Sequence, residues 1–216
     1  MSSLPIRLFI ALLLSVAGAS AQTAPARPAP PPVDAMAMPG RAGWTIDATN
    51  GCWLWNPSPH PGETVAWSGI CPLGPAQGAG SAAWRYFDND RPLVAWEHGV
   101  MRDGRLDGQA VVLWSNGDRH EGEWLAGQRH GRGTTFEADG TRHDGAWRLG
   151  VAHGPGILSR PNGDTYHGDF RAGRAEGQGV LMTREGAFQG LWRDGCLRRG
   201  DGVAAGVGRP GVDCPP

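Results

Sequence analysis

Glycines return in this chain at a fixed interval. Gly122, Gly127, Gly131 and Gly133 reappear 23 residues later as Gly145, Gly150, Gly154 and Gly156, and again as Gly168, Gly173, Gly177 and Gly179. Upstream the series continues as Gly99, Gly104 and Gly108, and after a longer interval as Gly69, Gly74, Gly78 and Gly80; downstream it fades at Gly190 and Gly195. A period of this size means that one small supersecondary unit is copied. Copies that cannot bury an apolar face alone must stack on their neighbours. The pairs Asn116-Gly117, Asp139-Gly140, Asn162-Gly163 and Glu185-Gly186 keep the same beat. Asn-Gly and Asp-Gly favour two-residue hairpin turns, in which both central residues take positive φ. These pairs are therefore expected at the hairpin tips.

Inside a unit the alternation is that of a strand. His120, Gly122 and Trp124 fall on one face and Glu121 and Glu123 on the other. The matching positions are His143, Gly145 and Trp147, then Tyr166, Gly168 and Phe170, then Phe188, Gly190 and Trp192. A second strand follows, with Val111 and Leu113, Thr134 and Phe136, Ile157, and Val180 and Met182 at alternate positions. The expected fold is all-β: an elongated antiparallel single-sheet solenoid of repeated β-hairpins. The 35 Gly, 18 Pro and 10 Trp agree with short strands and tight turns and argue against an α-rich enzyme fold.

The run His120-Glu121-Gly122-Glu123-Trp124-Leu125-Ala126-Gly127-Gln128-Arg129-His130-Gly131-Arg132-Gly133 resembles the MORN repeat, Y-x-G-x-W-x-x-G-x-x-x-G-x-G. The resemblance covers about residues 65–200. The units at 120, 143 and 166 are close to the pattern, and those at 67, 97 and 188 depart from it. Cys71 and Met101 stand where the family has Trp, and Ala110 replaces a motif Gly. The segment from Cys52 to Cys71 is similar to the cysteine-bearing start of exported bacterial MORN proteins. The resemblance implies a scaffold, a dimerisation element or a membrane-association element, of a kind often attached to enzymes.

Residues 1–21 read as a secretory signal peptide, with Arg7, an apolar run from Leu8 to Leu14, and small Ala19 and Ala21 before the expected cleavage. That run is shorter than the roughly 20 residues a bilayer requires. A periplasmic or secreted location follows. Residues 22–43 are Pro- and Ala-rich and are expected to form an extended or disordered linker. A cysteine-bearing N-terminal segment at 44–64, the MORN repeat domain at 65–200 and a C-terminal tail at 201–216 complete the chain. Cys52, Cys71, Cys196 and Cys214 form no C-x-x-C pair and fit an oxidising compartment. Three connectivities are open; closeness in sequence favours Cys52 with Cys71 and Cys196 with Cys214. On the chain-entropy account each such loop contributes about 3 kcal/mol.

A formal net charge of −1 leaves no basic surplus to neutralise phosphates, so nucleic acid is not expected as a partner. None of the 20 basic residues is Lys, which excludes a P-loop and lysine Schiff-base chemistry. There is no G-x-S-x-G, no H-E-x-x-H and no phosphate-binding glycine loop ahead of a helix. No catalytic residue, cofactor or metal site is expected. His120, His143, His130 and His153 occupy repeat positions, and Glu121, Asp144 and Asp169 read as solvated strand residues.

Two stripes are candidate binding residues. Trp124, Trp147, Phe170 and Trp192 form either sheet core or an open groove that stacks on sugars or apolar side chains. Arg148, Arg171 and Arg193 each follow the aromatic position, fall on the opposite face, and could pair with anionic headgroups or a partner's carboxylates. The expected function is non-catalytic binding or scaffolding, through a protein partner or self-association; the alternative is an envelope ligand, a lipid headgroup at a membrane surface or a glycan, with a hydrolase ranked behind both. The fading of the pattern after Trp192 points to residues 186–198 as an edge that receives another strand, with Trp192 as apolar anchor.

Overall fold

The structure, a computed structural model, describes residues 30–38, 41–199, 202–207 and 214. The expected signal and the first part of the linker lie outside those residues. The end of the linker is tied down: Val33–Ala35 forms a 3-10 turn, and the Ala37 N–H donates to the Trp44 carbonyl at 2.9 Å. A small hairpin follows, β1 (Gly43–Ile46) with β2 (Trp53–Asn56).

All remaining strands join one open antiparallel sheet in chain order. They are β3 (Thr64–Trp67), β4 (Gly78–Asp88), β5 (Arg91–Arg102), β6 (Arg105–Leu113), β7 (Arg119–Leu125), β8 (Gln128–Phe136), β9 (Arg142–Arg148), β10 (Val151–Ser159), β11 (Thr165–Arg171), β12 (Arg174–Thr183), β13 (Gly186–Arg193), β14 (Cys196–Arg199) and β15 (Gly202–Gly206). Each repeat supplies two strands, so the sheet lengthens by one hairpin per unit.

The turns differ from the expectation. At Asn116-Gly117, Asp139-Gly140 and Asn162-Gly163 only the glycine has positive φ, at 96°, 91° and 93°. Gly117, Gly140 and Gly163 donate to the carbonyls of Trp114, Glu137 and Arg160, closing turns of a three-residue loop. The residues with paired positive φ are at the other end of the hairpins: Ala126-Gly127, Leu149-Gly150 and Ala172-Gly173. A left-handed Ala or Leu costs roughly 1–2 kcal/mol. Contact with the preceding unit offsets that cost, because the N–H groups of Gly127, Gly150, Gly173 and Gly195 donate to the carbonyls of Leu106, Arg129, Ala152 and Ala175 at 2.8–3.0 Å. The turns along this margin are thereby bonded into a continuous backbone ladder.

The motif glycines make room for rings. Gly122 pairs with Gly133, Gly145 with Gly156 and Gly168 with Gly179 across adjacent strands. His120, His143 and Tyr166 lie over these pairs; a Cβ on Gly133 would stand 2.6 Å from His120 Nε2. Each ring then meets two others edge to face. The succession Trp124, His120, Trp147, His143, Phe170, Tyr166, Trp192 has centroid separations of 4.5–5.5 Å. The unit at 97 breaks the row for a local reason: Ala110 puts its methyl where a ring would lie over Gly99, and Glu97 holds the ring position.

Both ends carry a disulfide. Cys52 is bonded to Cys71 and Cys196 to Cys214, with Cα separations of 5.5 and 5.8 Å. At the first edge strand, β3, the Trp67 N–H donates to Asp47 Oδ2 at 2.8 Å and the Trp67 carbonyl accepts from Asn50 Nδ2 at 2.9 Å. At the other end β14 and β15 extend the sheet beyond Trp192, and Val207 packs into the core cluster around Tyr166 and Trp192.

Candidate functional site

The inner face of the sheet is interior. Trp124, Trp147, Phe170 and Trp192 are 8, 7, 5 and 0 % exposed, so the rings of the aromatic stripe are packed core, and of the four only Trp147 and Phe170 border the groove above them. Burial follows from stacking, since His120, His143 and Tyr166 each pack edge to face against two rings, and Trp192 is clustered with Leu197 and Val207. Trp192 therefore cannot serve as the surface anchor expected of it; its indole N–H donates to the Gly179 carbonyl at 3.0 Å, and β15 now forms that margin of the sheet.

His120, His143 and Tyr166 in this row titrate well away from neutral pH. Burial lowers His120 and His143 to about 4, with the Arg129 guanidinium adding to the effect. Burial also raises the Tyr166 phenol to about 12, as do the Asp169 and Glu176 charges. Glu97 is pushed up to about 7 by burial, partly offset by the nearby Trp84 indole and raised further by the Glu63 charge. Nε2 of His120 and of His143 meets no hydrogen-bond partner among the described residues. No group of three or more His, Cys, Asp or Glu able to hold a metal occurs among the described residues. Above the rings a groove of about 380 Å³ is lined by Arg129, His143, Trp147, Arg160, Phe170 and Arg174 among others. Arg174 in it pairs with Asp194.

The outer face carries what the inner one hides. Trp96, Leu113, Arg119, Phe136 and Arg142 are direct cross-strand neighbours on β5, β6, β7, β8 and β9. Trp96, Leu113 and Phe136 are 46, 41 and 36 % exposed. The Arg119 and Arg142 guanidinium carbons lie 5.6 and 5.7 Å from the Phe136 ring, and each arginine is also paired along its own strand, with Glu121 and Asp144. Alternation at Val111, Leu113, Thr134 and Phe136 was visible in the sequence. Which face it occupied was not, because Val112 and Thr135 between them turn inward.

Arg148, Arg171 and Arg193 stand exposed at equivalent positions of β9, β11 and β13, beside the laddered turns. None of the three forms an ion pair with a described carboxylate. The row starts at Leu125, which holds the same position on β7 and is 47 % exposed. Asp144 and Asp169 lie on this face too, lining a shallow depression of about 430 Å³.

The MORN repeat model matches residues 98–119, 120–142, 143–165 and 166–186. The chain carries four MORN repeats. Each MORN unit here is the hairpin just described, with its ring over a glycine pair and its second glycine-rich turn bonded to the preceding unit. The unit built on Trp67, Gly69 and Gly80 lies outside the matched range yet has the same construction, the ring lying against both glycines. MORN repeats are often binding or scaffolding modules. No curated protein is similar enough to this chain to count as a match. The two disulfides fit an oxidising environment.

Proposed function

We propose that this MORN protein is an exported, non-catalytic scaffold that holds a protein partner against the outer face of its sheet. The observation that carries the reading is the exposed row of Trp96, Leu113 and Phe136, flanked by arginines and fixed in register by five adjacent strands. Aromatic and arginine side chains on a rigid surface are the groups that most often dominate protein interfaces. Export rests on the signal-like residues 1–21 and on the cysteine pairing. A mature chain beginning at Gln22 on N-terminal sequencing is expected, and full-length protein starting at Met1 would contradict it.

The docking test places a photo-crosslinking residue at Val94, next to Trp96 on the same face, in cells producing the full chain. One defined protein should be captured, and Trp96→Asp or Leu113→Asp should abolish capture while the melting temperature holds. Capture that survives both variants refutes the surface. An envelope ligand, a lipid headgroup or a glycan, is the second reading. It is favoured by the inner groove, where Arg129, Arg160 and Arg174 line a space beside Trp147 and Phe170.

A further inference from the structure

The exposed arginines of the turn margin have a spacing that few ligands match. Arg148, Arg171 and Arg193 are two strands apart in turn, and strands lie about 4.7–4.9 Å apart, so the charges recur about every 9.5 Å. The hydrogen bonds from Gly150, Gly173 and Gly195 to the preceding units fix that interval before anything binds. Fixed spacing reduces the ordering cost of association.

A β-strand cannot follow this row with one face, because residues three apart, about 10 Å along, point to opposite sides. A polyproline II chain can. It has three residues per turn and a rise of about 3.1 Å, so every third side chain falls on one side at intervals of about 9.3 Å.

We propose that the row of Arg148, Arg171 and Arg193 binds an extended polyproline II segment of a partner protein carrying an acidic residue at every third position. Each carboxylate meets one guanidinium, and the segment's next period lies over the apolar Leu125. The row is a line and not a basic field. Asp144 and Asp169 share the face, and Glu176 on β12 stands across from Arg193, so a broad anionic surface would meet carboxylates together with the arginines, whereas a segment with acidic residues only at every third position can place its carboxylates at the guanidinium groups. This surface is separate from Trp96 and does not depend on the reading given above.

The test uses the full chain and two fluorescein-labelled peptides of equal composition, one a repeat of Glu-Pro-Pro and the other with its glutamates clustered. Fluorescence anisotropy should show roughly tenfold tighter binding of the periodic peptide, weakening with salt. Arg148→Glu, Arg171→Glu and Arg193→Glu should each reduce it by about tenfold without changing the melting temperature. Leu125→Arg extends the row by one charge and should tighten binding severalfold, a gain that misfolding cannot imitate. Equal affinity for the two peptides, or no gain from Leu125→Arg, overturns the proposal. So does binding to phosphatidylglycerol vesicles that is lost in Arg171→Glu while the periodic peptide fails to bind, a result that assigns the row to a membrane surface.

Discussion

The carboxylate of Asp47 accepts the backbone N–H of Trp67 at 2.8 Å, on the side of β3 that faces away from the sheet. An unpaired edge invites another strand. Here a side chain stands in for one. Asp47 is itself fixed by Thr49, whose N–H and hydroxyl both donate to Oδ1. Burial raises its pKa, but the hydrogen bonds from Thr49, Trp67 and Asn50 outweigh burial and hold the carboxyl below its ordinary value.

Asp47→Ala leaves the Trp67 N–H without its partner and should cost about 1–3 kcal/mol. It also reopens the edge. A lower melting temperature together with concentration-dependent association in sedimentation is expected; a monomer of unchanged stability would show that the edge is closed by other means. A depressed carboxyl stabilises the fold above its unfolded pKa and stops doing so as pH falls through the folded one. Asp47→Ala should therefore differ most from the parent at neutral pH and least in acid.

Gly133 is not in a left-handed conformation, so a side chain there acts through packing alone. Its Cβ would meet the His120 ring at 2.6 Å. Gly133→Ala should cost roughly 1–3 kcal/mol through overpacking. In a double-mutant cycle, adding His120→Ala should recover part of that loss. Full additivity would mean that ring and glycine do not share the space.

His143 is neutral in the fold, with its pKa lowered from 6.5 to about 4. A depressed histidine stabilises the fold above its unfolded pKa and loses that contribution as pH falls from 6.5 towards 4, by about 3 kcal/mol at the lower limit. His143→Tyr removes this dependence. The new hydroxyl can also reach the Ala146 carbonyl as the Tyr166 hydroxyl reaches that of Asp169 at 3.3 Å. Denaturant melts should show the variant at least as stable at pH 7 and clearly more stable at pH 4.5; parallel pH profiles would disprove the assignment.

Glu97 works in the opposite sense. Its pKa is raised to about 7, so its neutral form suits the fold and stability falls as pH rises from the unfolded value towards 7. Glu97→Gln should match the parent at pH 4 and exceed it at pH 8 by about 3 kcal/mol, which moves the melting temperature by roughly 6–12 °C. Calorimetry at both pH values checks this, and an equal shift at the two would exclude ionisation as the cause.

The repeat interval, the strand alternation and the placing of one ring per unit were legible in the sequence because they are local: a hairpin's period and pleat are set within some twenty residues. Closeness along the chain likewise favoured Cys52 with Cys71 and Cys196 with Cys214. What the tertiary structure decided depends on neighbours that no single unit contains. The paired positive φ moved from Asn116-Gly117 to Ala126-Gly127 because Gly127 bonds to Leu106 of the preceding hairpin. Trp124 and Trp192 became interior because side chains from adjoining segments cover them, Trp114 beside Trp124, and Tyr166, Leu197 and Val207 around Trp192. The edge moved from β13 to β15 because β14 and β15 continue the sheet. Trp96, Leu113 and Phe136 became one surface only when the register of four strands brought them into line. Periodicity specifies the unit; hydrogen bonding and packing between units determine what is buried and what is offered to a partner.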